Sequence, residues 1–313
     1  MSESPENVQG SLAALYESLQ TSVLQLFTDP TQLSPGQAVL VAASALFVGA
    51  VVWTCCGGQR RTKVKLRAEF TPGKVYYHVP GPPVKVIPSL TPFGMKLETY
   101  LRMADIPYEP MYGRSMGPKG KIPWIEYNGE AMADSGLIME FLNREKGVDL
   151  NRTLSDADKA VSRAFTKMVE ENTYWGLVRD RWIDNFDKMQ DMFEVTWAVM
   201  FFLRSVRPKI RQQLWAHGIG RHSKEDMEGI IEKDLKAISS FLGTKPYLMG
   251  DEPTEVDAAV FGQLSELCWA NHGSYLHRIV TVDCPNLQAY CSRIRDRYWS
   301  DWDQLTKKTK KDQ

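Results

Sequence analysis

The feature that most restricts this chain is the run AVLVAASALFVGAVVWTCC, residues 38–56, which holds no Asp, Glu, Lys or Arg. Its 19 residues are close to what an α-helix needs to cross the hydrocarbon core of a bilayer. Its flanks are unequal. Residues 1–37 carry Glu3, Glu6, Glu17 and Asp29 with no Lys or Arg, whereas Arg60, Arg61, Lys63, Lys65 and Arg67 follow the run. Cations collect on the cytosolic side of a spanning helix. The expected topology is therefore a single-pass transmembrane helix over 38–56, with the N-terminus outside the cytosol and the C-terminal bulk inside it. Trp53 stands where an interfacial aromatic would. A buried core helix or a cleaved signal peptide are the competing readings. The signal peptide fits poorly, because the basic residues lie on the wrong side and the apolar run starts late.

Two features attach to that helix. Cys55 and Cys56 sit at its cytosolic edge, where S-palmitoylation is one expectation and simple filling of the helix end is the other. Residues 11–28 carry Leu12, Leu15, Leu19, Val23, Leu26 and Phe27 at helical spacing, which predicts an amphipathic helix within an extra-cytosolic segment over 1–37. Residues 57–73 read as a basic tether. The five cysteines of the chain are odd in number and show no paired CxxC spacing, which argues against a disulfide framework and a structural zinc site. No metal site is expected. A net charge of zero gives no reason to expect nucleic acid as a partner.

From Lys74 the texture changes. KVYYHV is a strand closed by PGPP. A long loop leads to an amphipathic helix opening at Pro92, with Leu97, Leu101 and Ala104 on one stripe. IPYEPMY gives a second strand. KIPWIEYNGEAMA reads as a hairpin around Asn128-Gly129, a dipeptide suited to a type I′ turn. DSGLIMEFLNREKG is a helix capped by Asp134 or Ser135 and stopped by Gly147. This order predicts a mixed α/β layer over 74–150. Residues 151–303 show no strands and about six helices, with Pro208 expected to break one of them. In PTEVD, Thr254 is placed to cap Asp257 and Asp257 to reach back, a structural capping box. Residues 304–313 are a solvated basic tail.

A βαβ–ββα layer followed by an all-helical region resembles the glutathione S-transferase fold, with a thioredoxin-like N-terminal domain. More closely, the chain resembles the failed axon connections family, relatives of the metaxins. The resemblance is carried by PSLTPFGMKLETYLRMADIPY, GKIPWIEYN, TKMVEENTYW, HGIGRHS and SRIRDRYW. It implies a cis-proline at Pro123, with the backbone of Ile122 facing a glutathione-like ligand. It also implies that Asp134 and Ser135 hold the γ-glutamyl carboxylate. Glutathione is thus the one small-molecule ligand the resemblance implies.

Thr91 stands where thiol-type members of the fold place a cysteine, and no cysteine lies between Cys56 and Cys268. Thr91 is therefore the one catalytic candidate, as a hydroxyl that would activate glutathione; Ser89 and Tyr112 are other hydroxyls in reach. The alternative is that Thr91 only caps its helix. Glu170, Glu171, Asp180 and Asp184 lie near Arg179 and Arg181, where structural ion pairs are the commoner outcome and acid–base chemistry the rarer one. His217 and His222 lack partners at metal spacing.

Two functions follow from the resemblance. One is a non-catalytic interaction protein linked to axon development, anchored in a membrane and binding an unidentified protein, with a homodimer also conceivable. The other is a glutathione-dependent transferase using Thr91. A third, minor reading is a component of protein import at the mitochondrial outer membrane, where metaxins act. The endoplasmic reticulum and the plasma membrane are the other membranes open to it.

Overall fold

Alternation along VYYHVP builds β1 (Val75–Pro80). Val75, Tyr77 and Val79 turn into a core with Leu97, Leu101 and Ile138, while Tyr76 and His78 take the opposite face. In this computed structural model, which describes residues 64, 66–113, 115–190 and 197–307, β1 is central in a four-stranded sheet of order β2-β1-β3-β4. Helix α1 (Pro92–Met103) crosses over to β2 (Tyr108–Gly113), which runs parallel to β1 with Val75 opposite Tyr108. Strands β3 (Trp124–Tyr127) and β4 (Glu130–Ala133) form the expected hairpin, with Asn128 at φ 49° and Gly129 at φ 83°. Helix α2 (Ser135–Lys146) follows and ends at Gly147 in the left-handed region. The 38–56 run, Cys55, Cys56, the 11–28 stripe and the tail beyond 307 lie outside the described residues. Among the described residues no helix is long and apolar enough to cross a membrane.

The second face of the sheet has an unusual cover. Ten residues, 114–123, join β2 to β3, and no helix forms in the described ones. Part of the stretch read as a tether lies there instead. The Arg67 N–H donates to Glu126 Oε2 at 2.9 Å, its guanidinium lies 4.6 Å from the Tyr76 ring centre, and the Thr71 N–H donates to the Tyr76 hydroxyl at 3.0 Å. Trp124 donates its indole N–H to the Ser115 carbonyl at 2.9 Å and stacks 3.6 Å from the His78 ring. His78 Nε2 lies 2.8 Å from Glu126 Oε1.

The remainder is helical. Ser155 and Asp158 form a capping box at the start of α3 (Asp156–Lys167). The chain continues through a wide π-turn (Met168–Thr173), α4 (Tyr174–Arg179) and a second π-turn (Asp180–Asp184). Helix α5 (Trp197–His217) contains Pro208. The expected break at Pro208 is therefore corrected. Proline removes one N–H and crowds the carbonyl a turn earlier, but on a solvent-exposed helix water can solvate the freed carbonyl. Gly218, at φ 108°, ends the helix.

Helix α6 (Lys224–Leu242) is capped by Ser223. Helix α7 (Glu255–Ser265) is buried at every position after Glu255 and runs into a third π-turn over Glu266–Ala270. Short α8 (Tyr275–Arg278), α9 (Pro285–Tyr298) and α10 (Trp302–Lys307) complete the described residues.

Helix α7 lies along α1 and joins the two cores. A Cβ on Gly262 would come within 2.5 Å of the Pro92 carbonyl oxygen, so glycine sets how close the helices approach. At the start of α7 the Asp257 carboxylate accepts from the Thr254 N–H at 2.7 Å and the Thr254 hydroxyl at 3.0 Å, completing the box expected there. It also accepts from the Leu248 N–H and the Tyr290 hydroxyl, both at 2.9 Å. The far end of α1 is tied to the C-terminal helices. Arg102 donates to Asp301 at 2.6 Å and lies 4.0 Å from the Trp299 ring centre, and Trp299 donates to the Thr99 hydroxyl at 3.1 Å.

Candidate functional site

The first turn of α1 gathers three hydroxyl side chains around Gly94. A Cβ on Gly94 would meet Ser89 Oγ at 2.5 Å, the Thr91 methyl at 2.7 Å and the Tyr77 hydroxyl at 2.9 Å. Glycine is what lets them converge. Thr91 occupies the N-cap position in extended conformation, but its side chain makes no capping hydrogen bond. The cap alternative for Thr91 is thus realised in position and not in bonding. The Thr91 N–H donates to Ser89 Oγ at 3.4 Å, and Ser89 is buried. Tyr77 is fully buried and donates its proton to the Gly94 carbonyl at 2.8 Å, and burial holds its pKa well above the ordinary phenol value. Tyr112, at the end of β2, is 45% exposed, and partial burial pushes its pKa up to about 12.

Among the described residues no thiol stands near this corner. Cys268, Cys284 and Cys291 are buried in the helical half, and burial raises the Cys291 thiol well above its ordinary range. Buried cysteines of this kind are inert.

Ile122-Pro123 is a cis peptide leading into β3. Pro123 is buried and Ile122 half-buried. Asp134 precedes α2 at φ 86°, ψ 111°, a conformation rare outside glycine. Its carboxylate accepts from the N–H groups of Gly136 at 3.1 Å and Leu137 at 3.3 Å. Ser135 is buried beside it. Helix N-termini attract carboxylates because their first N–H groups have no partner within the helix. Here Asp134 fills two of those positions itself. A γ-glutamyl carboxylate would have to displace it or bind elsewhere.

Beneath that turn lies a buried cation. Lys96, on the second turn of α1, pairs with Glu170 of the first π-turn at 2.5 Å, and a Cβ on Gly136 would lie 3.9 Å from its Nζ. The opposite wall carries Tyr174, packed edge-on to Phe93 with ring centres 4.9 Å apart, and Trp175 beside it at 5.3 Å. Glu171 is exposed and pairs with Lys167.

Deeper, Arg181 of the second π-turn donates to Glu266 Oε2 at 2.6 Å, to Asn271 Oδ1 at 2.9 Å and to the Leu90 carbonyl at 3.1 Å. Asn271 in turn donates to Asp180 at 2.6 Å. Burial raises the pKa of both Asp180 and Glu266, opposed by these donors. The π-turns explain how these groups meet, since an extra residue per turn rotates Glu170, Arg181 and Glu266 into the seam. The network holds the residue immediately before Thr91, so the mouth of the corner is fixed from the helical half. The loop before it is packed as well: Ile87 is buried, and Val84, Val86 and Leu90 pack on the helical core.

Comparison with known proteins bears on this geometry directly. The family model for the glutathione S-transferase N-terminal domain matches residues 92–189, and that for the glutathione S-transferase C-terminal domain matches 231–294. The Drosophila melanogaster protein "Failed axon connections" is 33% identical over 247 residues, covering 71% of this chain and 58% of that protein. The chain belongs to the failed axon connections family, metaxin-related and glutathione S-transferase-like. It spans a little over half the length of its Drosophila relative. Two further proteins are also similar to this chain. An isoprene-epoxide glutathione S-transferase of Rhodococcus is 29% identical over 230 residues, covering 68% of this chain and 94% of the enzyme. Mouse metaxin-2 is 25% identical over 222 residues, covering 67% of this chain and 82% of metaxin-2.

For this failed axon connections family member, the expected site residues fall into two corners linked by α1. Thr91 and Ser89 converge at Gly94; Asp134 and Ser135 stand over Lys96. Thr254 and Asp257 are structural, at the start of α7. Glu170 and Arg181 are ion partners of Lys96 and Glu266, while Asp180 accepts from the side-chain amides of Asn185 and Asn271. His217 and His222 are exposed, with His217 stacked on Trp175 at 5.0 Å. Among the described residues no group of His, Cys, Asp and Glu is placed to hold a metal.

Proposed function

We propose that this chain is a membrane-anchored interaction protein that keeps the two-lobed glutathione S-transferase body without its catalysis. The reading divides it into a helix over 38–56, a thioredoxin-like domain over 74–150 and a helical domain over 151–303. The helix holds both domains at the cytosolic face, where they bind a protein partner. The name of the Drosophila relative links this role to axon development. The metaxin relatives favour the mitochondrial outer membrane, which imaging of a C-terminally tagged full chain tests against the endoplasmic reticulum and plasma membrane.

The observation that carries the reading is that the ligand corner is already satisfied. Asp134 accepts two first-turn N–H groups of α2, and the Tyr77 proton is committed to Gly94. Calorimetric titration of the full-length protein with glutathione tests it. No saturable heat and no conjugation of a common aromatic electrophile are expected. Tight binding with turnover would overturn it.

A second reading, a glutathione-dependent transferase, is favoured by the Rhodococcus relative, an enzyme matched over 94% of its length. In that case Thr91 would donate to the glutathione thiolate and Ser135 would hold the γ-glutamyl end. Turnover that falls in both Thr91→Ala and Ser135→Ala would support it.

A further inference from the structure

Helix α5 differs from every other long helix in what it shows to solvent. Between Val195 and Lys224 the sequence holds six Lys or Arg (Arg204, Arg207, Lys209, Arg211, Arg221, Lys224) and no Asp or Glu. Leu214 is the one buried side chain among those described on α5. Phe201 is 76% exposed and Trp215 is 59% exposed. They lie fourteen residues apart with exposed Pro208 midway, a sevenfold spacing that puts all three on one side of the helix over roughly 21 Å. Arg204 and Arg211 flank that stripe on one edge and Lys209 on the other, all exposed. Arg207 faces inward and donates to the carbonyls of Trp182 and Ile183, which fixes the helix's rotation. Beside Trp215 opens a groove of about 250 Å³ with Ile183 and Leu214 in its walls and Arg211 at its rim.

We propose that this outward face of α5 is a docking surface for an anionic lipid bilayer. Aromatic side chains at both ends of a helix, cations along its flanks and no acid between them are what a helix lying in a headgroup plane requires. Each cation held near an anionic leaflet strengthens binding, and the effect fades within a Debye length. The groove takes an acyl segment against Ile183, Leu214 and Trp215 while Arg211 meets the phosphate. Arg179, also at the groove, is engaged with the His222 carbonyl at 2.9 Å and with Asp184. Arg211 is therefore the cation that does this work. The contact is additional to the proposed anchor. It would lay the helical half on the leaflet.

The test uses the full chain in lipid nanodiscs, with Cys55 and Cys56 replaced by Ser and a nitroxide on Gln212→Cys or, as the control on another element, on Val282→Cys. Nickel-chelating lipids then report which label lies near the headgroups. The expected result in discs rich in phosphatidylserine is several-fold stronger relaxation of the Gln212 label than of the Val282 label. That contrast should vanish in Arg204→Glu/Arg211→Glu, and circular dichroism verifies that the double variant is folded. Equal relaxation of the two labels, or a contrast indifferent to the charge reversal, overturns the proposal. A face that answers only to an acidic protein gives the first of those outcomes. Alkaline extraction decides the anchor separately. A chain that washes off yet binds phosphatidylserine vesicles in a salt-sensitive manner overturns the anchor and keeps the helix. A chain that resists extraction with equal labels does the reverse.

Discussion

Helices α7 and α5 stand at opposite extremes of the same fold. After Glu255, every side chain of α7 is buried, including Asp257, Gln263 and Glu266 of its continuation. On α5, the described side chains face mostly water. Helix α7 joins both cores and holds buried charges in place; α5 is held by Leu214, Arg207 and a few half-buried apolar contacts. The difference teaches where this chain can tolerate change. Alterations along the α1–α7 seam should act on folding, and alterations on the outer face of α5 should act on what the protein touches.

The seam has its most sensitive point at Arg181. Arg181→Ala leaves Glu266 buried without its counter-charge and frees the Leu90 carbonyl. Removing one partner of a buried ion pair costs about 3–5 kcal/mol, so the variant should lose most of its stability in urea denaturation. Glu266→Gln keeps the shape but leaves the Arg181 guanidinium buried without its counter-charge, so it should lose a comparable amount. A near-wild-type midpoint in either variant would mean that packing, not charge, carries the seam.

Gly262→Ala probes the same seam by volume. The added methyl meets backbone on α1, at 2.5 Å from the Pro92 oxygen and 2.9 Å from the Lys96 nitrogen, and neither can swing aside. Overpacking of this kind costs about 1–3 kcal/mol. A melting temperature equal to wild type would show that α1 and α7 slide freely.

Asp134 tests the ligand corner. Asp134→Ala loses the cap and keeps a side chain at φ 86°, so a loss of about 1 kcal/mol is expected. Asp134→Gly relieves the backbone and should lose less. Both variants expose the Gly136 and Leu137 N–H groups. Glutathione binding that appears only in these variants would establish Asp134 as the occupant of the γ-glutamyl position.

His78 provides a pH test away from the seam. Burial lowers its pKa, the Glu126 carboxylate opposes that, and nearby Arg67 reinforces it. The unfolded chain therefore binds the proton more readily than the folded one. Stability is complete above the ordinary imidazole value of about 6.5 and falls as pH drops toward the folded-state pKa. His78→Gln should flatten that slope in melting temperatures measured across the mildly acidic range. An unchanged slope would place its origin in other groups.

Most of the sheet was legible because its signals are local. Alternation marks β1, Asn128-Gly129 marks the hairpin, and the caps at Asp134 and Thr254 stand beside the helices they start. The cis peptide at Pro123 followed from the resemblance alone. Lys96–Glu170 and Arg181–Glu266 were not legible as pairs, since their partners are 74 and 85 residues apart in sequence and meet only through the π-turns. Glu170 and Arg181 stood out as charged residues near one another, which was the one available signal. Pro208 misled for a related reason. A proline reads as a helix break when the backbone around it must be satisfied internally, and sequence does not reveal that α5 has water on most sides.

The smallest expected effect is the one that most sharply separates the two helices. Phe201→Ser and Trp215→Ser each remove a large aromatic, a change that in α7 would open a cavity worth several kcal/mol. On the outer face of α5 the same change removes little buried area. The Arg221 guanidinium lies 5.3 Å from the Trp215 ring centre, but both groups are exposed, where such contacts are worth about 0.5–1 kcal/mol. Phe201→Ser should therefore leave stability within about 0.5 kcal/mol of wild type, and Trp215→Ser should fall only slightly below that. Denaturant midpoints for both variants, measured beside a Phe261→Ala reference in the buried face of α7, decide the matter. If Phe201→Ser destabilises as much as Phe261→Ala, α5 is part of the folding core and its aromatic residues serve packing, and the separation between a keystone helix and a contact helix is lost.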